Sequence, residues 1–139
     1  MNNSRYFSLI GRILLSLIFI ASGLGKVTNA AGTKAMMAQV GIPAVGLLFV
    51  VALLFEVLGG FSVLLGFKAK HGAIALMLFL IPTTFYFHNF WAFSGMEQQM
   101  QIANFLKNVA IFGGLGLVVA FGPGPISMDE RRATKGEVR

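Results

Sequence analysis

The sequence predicts an all-α fold, a four-helix transmembrane bundle with a short amphipathic helix in the first outer loop. Hydrophobic residues make up 56% of the 139 positions and charged residues 12%, about half the charged share of an ordinary soluble domain. The mean hydropathy is +0.78, and a chain this short cannot hide so much apolar surface from water. Composition therefore argues against a soluble enzyme, a disordered chain and a nucleic-acid-binding domain.

Four apolar stretches provide the predicted spans, at about residues 8–27, 44–66, 72–93 and 102–121. Each is close to the ~20 residues that cross the hydrocarbon core as a helix. The run from Val45 to Val51 lacks the polar–apolar alternation of a membrane barrel strand, so the spans are predicted to be helices. We expect residues 1–139 to form one membrane domain, with residues 122–139 as a tail.

The first connection is predicted to contain its own helix. Thr33 is expected to cap a segment that ends near Gln39, because Gly41 follows it. Met36 and Met37 on this segment are expected to rest on the bilayer surface or to cover the bundle.

Positive residues are distributed unevenly about the predicted spans, which indicates an orientation. One side carries eight of them and the other side two (Arg5, Arg12, Lys68, Lys70, Arg131, Arg132, Lys135 and Arg139 against Lys26 and Lys34). The positive-inside rule then places both termini in the cytoplasm of a multi-pass inner-membrane protein. A cleaved secretory signal at the first span is the alternative, but it would move the basic tail to the far side.

The residue set limits the chemistry that the chain can perform. The absence of cysteine excludes disulfide exchange, iron–sulfur ligation and thiolate zinc sites within it. His71 and His88 are separated by roughly 25 Å of helix, so no metal or haem site is predicted. No catalytic residue is predicted, and electron chemistry would need a bound cofactor, a quinone or a partner protein.

Two ionisable residues inside the spans require explanation. Glu56 lies near the centre of the second span, and Arg12 lies about one turn inside the first. A charge at mid-bilayer costs about 2.5 to 3.5 kcal/mol on insertion scales, and the two predicted depths differ by roughly 6 Å. A buried Arg12–Glu56 pair is therefore predicted, serving helix packing or a proton or ligand site. A protonated, neutral Glu56 is the alternative.

A second polar set is predicted in the outer half of the bundle. Asn104, Lys107 and Asn108 share one face of the fourth span because they are three and four residues apart. His88 is expected at a similar depth to Lys107, and Lys26 points to the same side. Converging faces would form a cationic, amide-lined pocket. Alternatively, the two lysines extend to the interface.

Aromatic residues are dense around His88, and Trp91 is among them. Tyrosine and tryptophan near a helix end are typical of an interfacial belt. Aromatic walls with a histidine or lysine donor would also accommodate a quinone-like ring.

The order of these motifs resembles the DoxX family over nearly the whole chain. The shared motifs are Arg12, Gly23-Leu24-Gly25-Lys26, Glu56 with Gly59-Gly60 and Gly66, Phe105-Leu106-Lys107-Asn108, and Gly122-Pro123-Gly124-Pro125-Ile126-Ser127-Met128-Asp129. In addition, His88-Asn89-Phe90-Trp91 looks like a branch of bacterial inner-membrane members. The resemblance implies a four-helix inner-membrane protein. Some members of the family are linked to quinone-dependent thiosulfate oxidation and others to oxidoreductase complexes that handle thiol or oxidative stress.

We therefore expect an accessory protein or subunit of a quinone-linked membrane redox system, rather than a stand-alone enzyme. Its quinone- or lipid-like ligand is expected among His88, Lys107, Asn104, Asn108, Lys26 and Trp91. The expected partners are the lipid bilayer, a membrane oxidoreductase and a second copy of the chain, with no nucleic acid. A structural or assembly protein is the first alternative. A small-solute transporter is the second, although four helices leave little room for alternating access without dimerisation.

Overall fold

The computed structural model describes residues 4–137, and this part of the chain is all-helical. Its six α-helices are α1 Ser4–Thr28, α2 Ala30–Gln39, α3 Val45–Leu65, α4 Ala69–Phe87, α5 Gly95–Phe121 and α6 Met128–Glu137. A single 3-10 turn, Phe90–Ala92, lies between α4 and α5. The predicted fold class is confirmed, while Arg139 of the basic tail lies outside the described residues.

The helices α1, α3, α4 and α5 are long and apolar enough to cross a membrane. Their outward faces expose large apolar side chains such as Leu17, Leu58 and Leu117, as expected for helices solvated by lipid. Their ends lie within a few residues of the prediction, except at the start of the fourth span. The fourth span begins at Gly95 instead of residue 102, because the first two turns of α5 are polar and continue the helix outward. Helix α4 ends at Phe87, and the 3-10 turn that follows extends the third span to Ala92, close to the predicted residue 93.

Glycines allow the spanning helices to approach closely. A Cβ at Gly23 of α1 would lie 2.7 Å from Val57 Cγ2 of α3, and one at Gly59 would lie 2.7 Å from Leu76 Cγ of α4. Helix α3 therefore packs against α1 on one flank and α4 on the other. Helix α5 packs on α4. A side chain at Gly114 of α5 would meet Leu15 of α1.

The four spanning helices alternate in direction, which divides the connections between two faces. The terminal face carries the start of α1, the α3–α4 connection at residues 66–68, and residues 122–137. The loop face carries α2, residues 40–44 and residues 88–94. On the terminal face, the Ser8 hydroxyl donates to the Pro123 carbonyl at 2.7 Å.

Helix α2 covers the loop face and begins earlier than predicted. Asn29 caps it, because the Asn29 side chain accepts the Gly32 amide hydrogen at 3.2 Å. Thr33 lies inside the helix, so its predicted capping role was wrong. Met37 is buried against the bundle and Met36 is exposed.

The segment after α5 is fastened to the terminal face. Ser127 caps α6 by accepting the Glu130 amide hydrogen at 3.2 Å. The Asp129 carboxylate accepts the Lys68 and Ala69 amide hydrogens, at 2.8 and 3.0 Å, and so caps α4. The Asp129 amide in turn donates to the Gly66 carbonyl at 2.8 Å. These bonds hold the tail against the α3–α4 connection.

Candidate functional site

A buried ion pair lies in the loop-face half of the bundle. Glu56 of α3 is 3% exposed, and the Lys26 Nζ of α1 lies 2.9 Å from its Oε1 and 2.8 Å from its Oε2. The Ser22 hydroxyl donates to Glu56 Oε1 at 2.8 Å, and Lys26 Nζ also donates to Ser22 Oγ at 2.9 Å. The ammonium, hydroxyl and carboxylate therefore form one connected network, in which Glu56 Oε2 makes the ion-pair contact but no hydrogen bond. The Lys26 ammonium donates two hydrogen bonds in it, to Glu56 Oε1 and Ser22 Oγ.

Local helix geometry explains why these groups meet. Ser22 and Lys26 are four residues apart, so they occupy the same face of α1 one turn from each other. Gly23 lets that face approach α3 closely. Lys26 turns inward instead of extending to the interface, because the buried Glu56 carboxylate would otherwise be an uncompensated charge in a low-dielectric surrounding.

The expected Arg12–Glu56 pair does not form. Arg12 is 2% exposed, but its guanidinium donates to three carbonyl oxygens: Leu64 at 2.9 Å, Val63 at 3.3 Å and Ile126 at 2.7 Å. Arg12 lies beside the last turn of α3, where carbonyl groups lack helical donors, whereas Glu56 lies about two turns deeper. Arg12 therefore joins the tail to the bundle and is remote from the ion pair.

A cavity of about 720 Å³ adjoins the ion pair, within the usual size range of small-molecule sites. Residues of α1, α3 and α4 line it, and α2 covers it with Met37. Lys26 and Glu56 are both in its wall. Leu78 and Tyr86 also line it and are exposed on the outer surface of α4, so the cavity opens laterally toward the bilayer.

His88 of the sequence-predicted set also lines this cavity. It follows the last residue of α4, and its Nδ1 lies 2.9 Å from Gln101 Oε1 of α5. The Gln101 carbonyl oxygen accepts, so His88 Nδ1 is the donor in this contact. The Nε2 atom takes no part in this contact.

Four other predicted residues lie elsewhere. Asn108 donates to Thr84 Oγ1 of α4 at 3.0 Å and is buried. Lys107 is exposed and donates to Asn104 Oδ1 at 2.9 Å on its own helix. Trp91 is 56% exposed, and its ring centroid lies 5.2 Å from that of Phe90 and 6.1 Å from that of Phe85. None of the four lines the cavity.

Sequence reasoning missed several polar groups in the cavity wall. Ser22, Thr33, Thr83 and Tyr86 line it, and only Ser22 had a usable signal, its four-residue spacing from Lys26. Within residues 4–137, no three histidine, aspartate or glutamate side chains come together in a group that could hold a metal ion.

Fold and site together define a small multi-pass membrane protein with a buried acid–base pair at a laterally open cavity. The chain belongs to the DoxX family, whose family model matches residues 7–89. This result confirms the resemblance seen in the sequence motifs.

Two bacterial relatives match almost end to end. Inner membrane protein YqjF of Escherichia coli (strain K12) is 37% identical over 121 residues, covering 87% of this chain and 88% of that protein. Inner membrane protein YphA of the same organism is 34% identical over 140 residues, covering 94% and 100%. The protein is thus an inner-membrane member of the DoxX family.

A more distant likeness extends to a eukaryotic protein. The Surfeit locus protein 4 homolog of Schizosaccharomyces pombe is 27% identical over 133 residues, which cover 94% of this chain and 39% of that protein. No solved structure matches the chain.

Proposed function

We propose that this protein binds a quinone-like ligand in the loop-face cavity and acts as an accessory subunit of a quinone-linked redox system in the inner membrane. The observation that carries the proposal is the cavity of about 720 Å³ beside the Lys26–Glu56 pair. Its lateral opening suits a ligand that arrives dissolved in the bilayer.

The cavity wall matches an amphipathic ring. Leu48, Val51 and Phe55 of α3 supply apolar walls, while Lys26 and His88 supply a hydrogen-bond donor and an acceptor. Lys26 Nζ can donate to a ring carbonyl, and His88 Nε2 can accept from a ring hydroxyl. The residues present therefore fit a quinone in both its carbonyl and hydroxyl forms.

An accessory role follows from what the chain lacks for stand-alone chemistry. A bound quinone would supply two-electron chemistry, while the residues of this chain hold the ring and exclude water. The sequence contains no cysteine, so the protein offers no thiol to exchange electrons with such a ligand. The electrons would come from a partner oxidoreductase.

The experiment that tests this proposal is organic extraction of the gently purified protein, followed by mass spectrometry. We expect near-stoichiometric quinone from the unaltered chain. The Ala52→Phe variant, which fills the cavity wall, should lose it. Ala110→Phe is the matched control, because Ala110 is exposed on α5 and does not line the cavity. Absence of quinone, or equal amounts from both variants, would refute the proposal.

An assembly role is the second candidate function, and the exposure of Lys107 on α5 favours it. This cation is exposed roughly 18 Å along α5 from Gly95, where exposure to lipid is costly. A spanning helix of a partner that carries a carboxylate would relieve that cost. If so, Lys107→Leu should abolish co-purification of that partner while ligand content is unchanged, and undiminished co-purification would count against this role.

We also propose that the terminal face is cytoplasmic. Within residues 4–137, the terminal face carries Arg5, Lys68, Lys70 and the cations of α6, whereas the loop face carries Lys34 in addition to the paired Lys26. Positive residues mark the cytoplasmic side of membrane proteins.

A further inference from the structure

An apolar groove runs along the outer seam between α3 and α4 in the terminal-face half of the molecule. It has a volume of about 560 Å³ and is separate from the ion pair. Leu58, Phe61 and Leu65 of α3 line it and are exposed. Gly59 and Gly72 lie at its base and are buried.

The length of the groove matches one leaflet of a bilayer. It extends along α3 from Leu54 to Leu65, roughly 16 Å at 1.5 Å per residue. The hydrocarbon core is ~30 Å thick, so half of it is ~15 Å. An acyl chain entering from the terminal face would fill the groove along its whole length.

The mouth of the groove is cationic. Lys68 and His71 line it there, and both are exposed. Phe67 also lines it and carries the Arg132 guanidinium of α6, which lies 4.5 Å from the ring centroid. The tail docking described above therefore brings a third basic side chain to this mouth.

The cationic groups of Lys68 and Arg132 are available to an anion. Asp129, the nearest acid in the fold to Lys68, binds the Lys68 backbone amide and the Ala69 amide. Among the side chains that the structure describes, those of residues 5–135, no carboxylate lies within salt-bridge distance of the Lys68 ammonium or the Arg132 guanidinium.

We propose that this groove is a binding site for one anionic phospholipid of the terminal-face leaflet. One acyl chain lies between α3 and α4, and the phosphate contacts Lys68, His71 and Arg132. A zwitterionic lipid would fill the same apolar space but would bring a cationic headgroup to an already positive mouth. The site is distinct from that of the quinone proposal, because its cationic mouth lies at the opposite end of the α3–α4 seam, although Phe55 is in the wall of both.

A tryptophan reporter can test the proposal, because Trp91 is the single tryptophan of the sequence and lies on the loop face. Combining Trp91→Phe with Phe61→Trp places the reporter in the groove. The reporter protein is reconstituted in vesicles that contain either brominated phosphatidylglycerol or brominated phosphatidylcholine. Quenching then yields the relative association of the two lipids with the groove.

We expect phosphatidylglycerol to associate at least about five-fold more strongly, since one surface cation is worth about that factor. Adding Lys68→Asn and Arg132→Gln should bring the ratio close to one. Asparagine suits position 68, whose φ is +47°. Lys34→Gln with Lys135→Gln is the matched control, since it removes two charges that do not line the groove, and should leave the ratio unchanged.

Three results would overturn the proposal. The first is equal quenching by the two lipids in the reporter protein, which needs only the conservative aromatic exchanges to fold. The second is a preference that survives removal of Lys68 and Arg132, and the third is an equal loss in the control. Trp91 in the otherwise unaltered chain supplies an internal reference, because it should report no preference of comparable size.

Discussion

Replacing Lys26 by methionine is predicted to lower the free energy of unfolding, because the change breaks the Lys26–Glu56 pair. The change leaves the buried Glu56 carboxylate with the Ser22 hydroxyl alone. Losing one partner of a buried pair typically costs 3 to 5 kcal/mol. The Lys26 side chain is 18% exposed against 4% for Glu56, so some screening applies, and we expect a loss of about 3 kcal/mol in the free energy of unfolding.

A double variant distinguishes the energy of the Lys26–Glu56 interaction from the energy of each residue's other contacts. Lys26→Met together with Glu56→Gln removes both charges. We expect the free energy of unfolding of this double variant to lie within about 1 kcal/mol of that of the unaltered protein. The size of the coupling energy is then about 2 kcal/mol plus whatever Glu56→Gln costs alone, so we expect at least about 2 kcal/mol, within the range for directly contacting residues.

Unfolding by sodium dodecyl sulfate in mixed micelles, followed through Trp91 fluorescence, measures these free energies. Lys135→Met is the control, because Lys135 is exposed on α6, and it should be neutral. A loss below 1 kcal/mol for Lys26→Met, or a double variant that loses the sum of the two single effects, would refute the reasoning.

Three further predictions concern the terminal face and its orientation. Arg12→Met should lower the free energy of unfolding by about 3 kcal/mol, because three carbonyls lose their buried donor; Arg5→Met, at an exposed position, should change it little in the same assay. Asp129→Ala should cost about 1 to 2 kcal/mol through loss of the α4 cap, and hydrogen exchange should accelerate in the first turn of α4 and not in α5. In intact cells, an impermeant maleimide should label Ser94→Cys but label Thr134→Cys only after lysis; the reverse pattern would contradict the proposed orientation.

Much of the architecture could be predicted because hydropathy and length suffice to identify spanning helices. The backbone in lipid must satisfy its own hydrogen bonds, so a long apolar stretch has few alternatives. Helix ends were less predictable. Glu97 and Gln98 look like loop residues by polarity, yet α5 includes them, because a helix continues easily into the headgroup region once its apolar part has formed.

Side-chain pairing was harder to predict than the helices themselves. Residue depth estimated from helix ends placed Arg12 opposite Glu56, but a long lysine side chain reaches back one turn, so Lys26 is the partner. The spacing of Asn104, Lys107 and Asn108 correctly predicts neighbouring positions on α5, yet spacing alone does not reveal which neighbouring helix that face meets. Asn108 bonds to Thr84 of α4, whereas the Lys107 ammonium bonds to Asn104 of its own helix.

The contact between Lys26 and Glu56 lies in the cavity wall, and the proposed ligand site includes it. Solid-state NMR measures this contact most directly. The full chain would be reconstituted in bilayers with 15Nζ-labelled lysine and 13Cδ-labelled glutamate. A direct ammonium–carboxylate contact should produce strong nitrogen–carbon dipolar dephasing that disappears in Glu56→Gln. Dephasing that is absent in the unaltered protein, or unaffected by Glu56→Gln, would contradict the account.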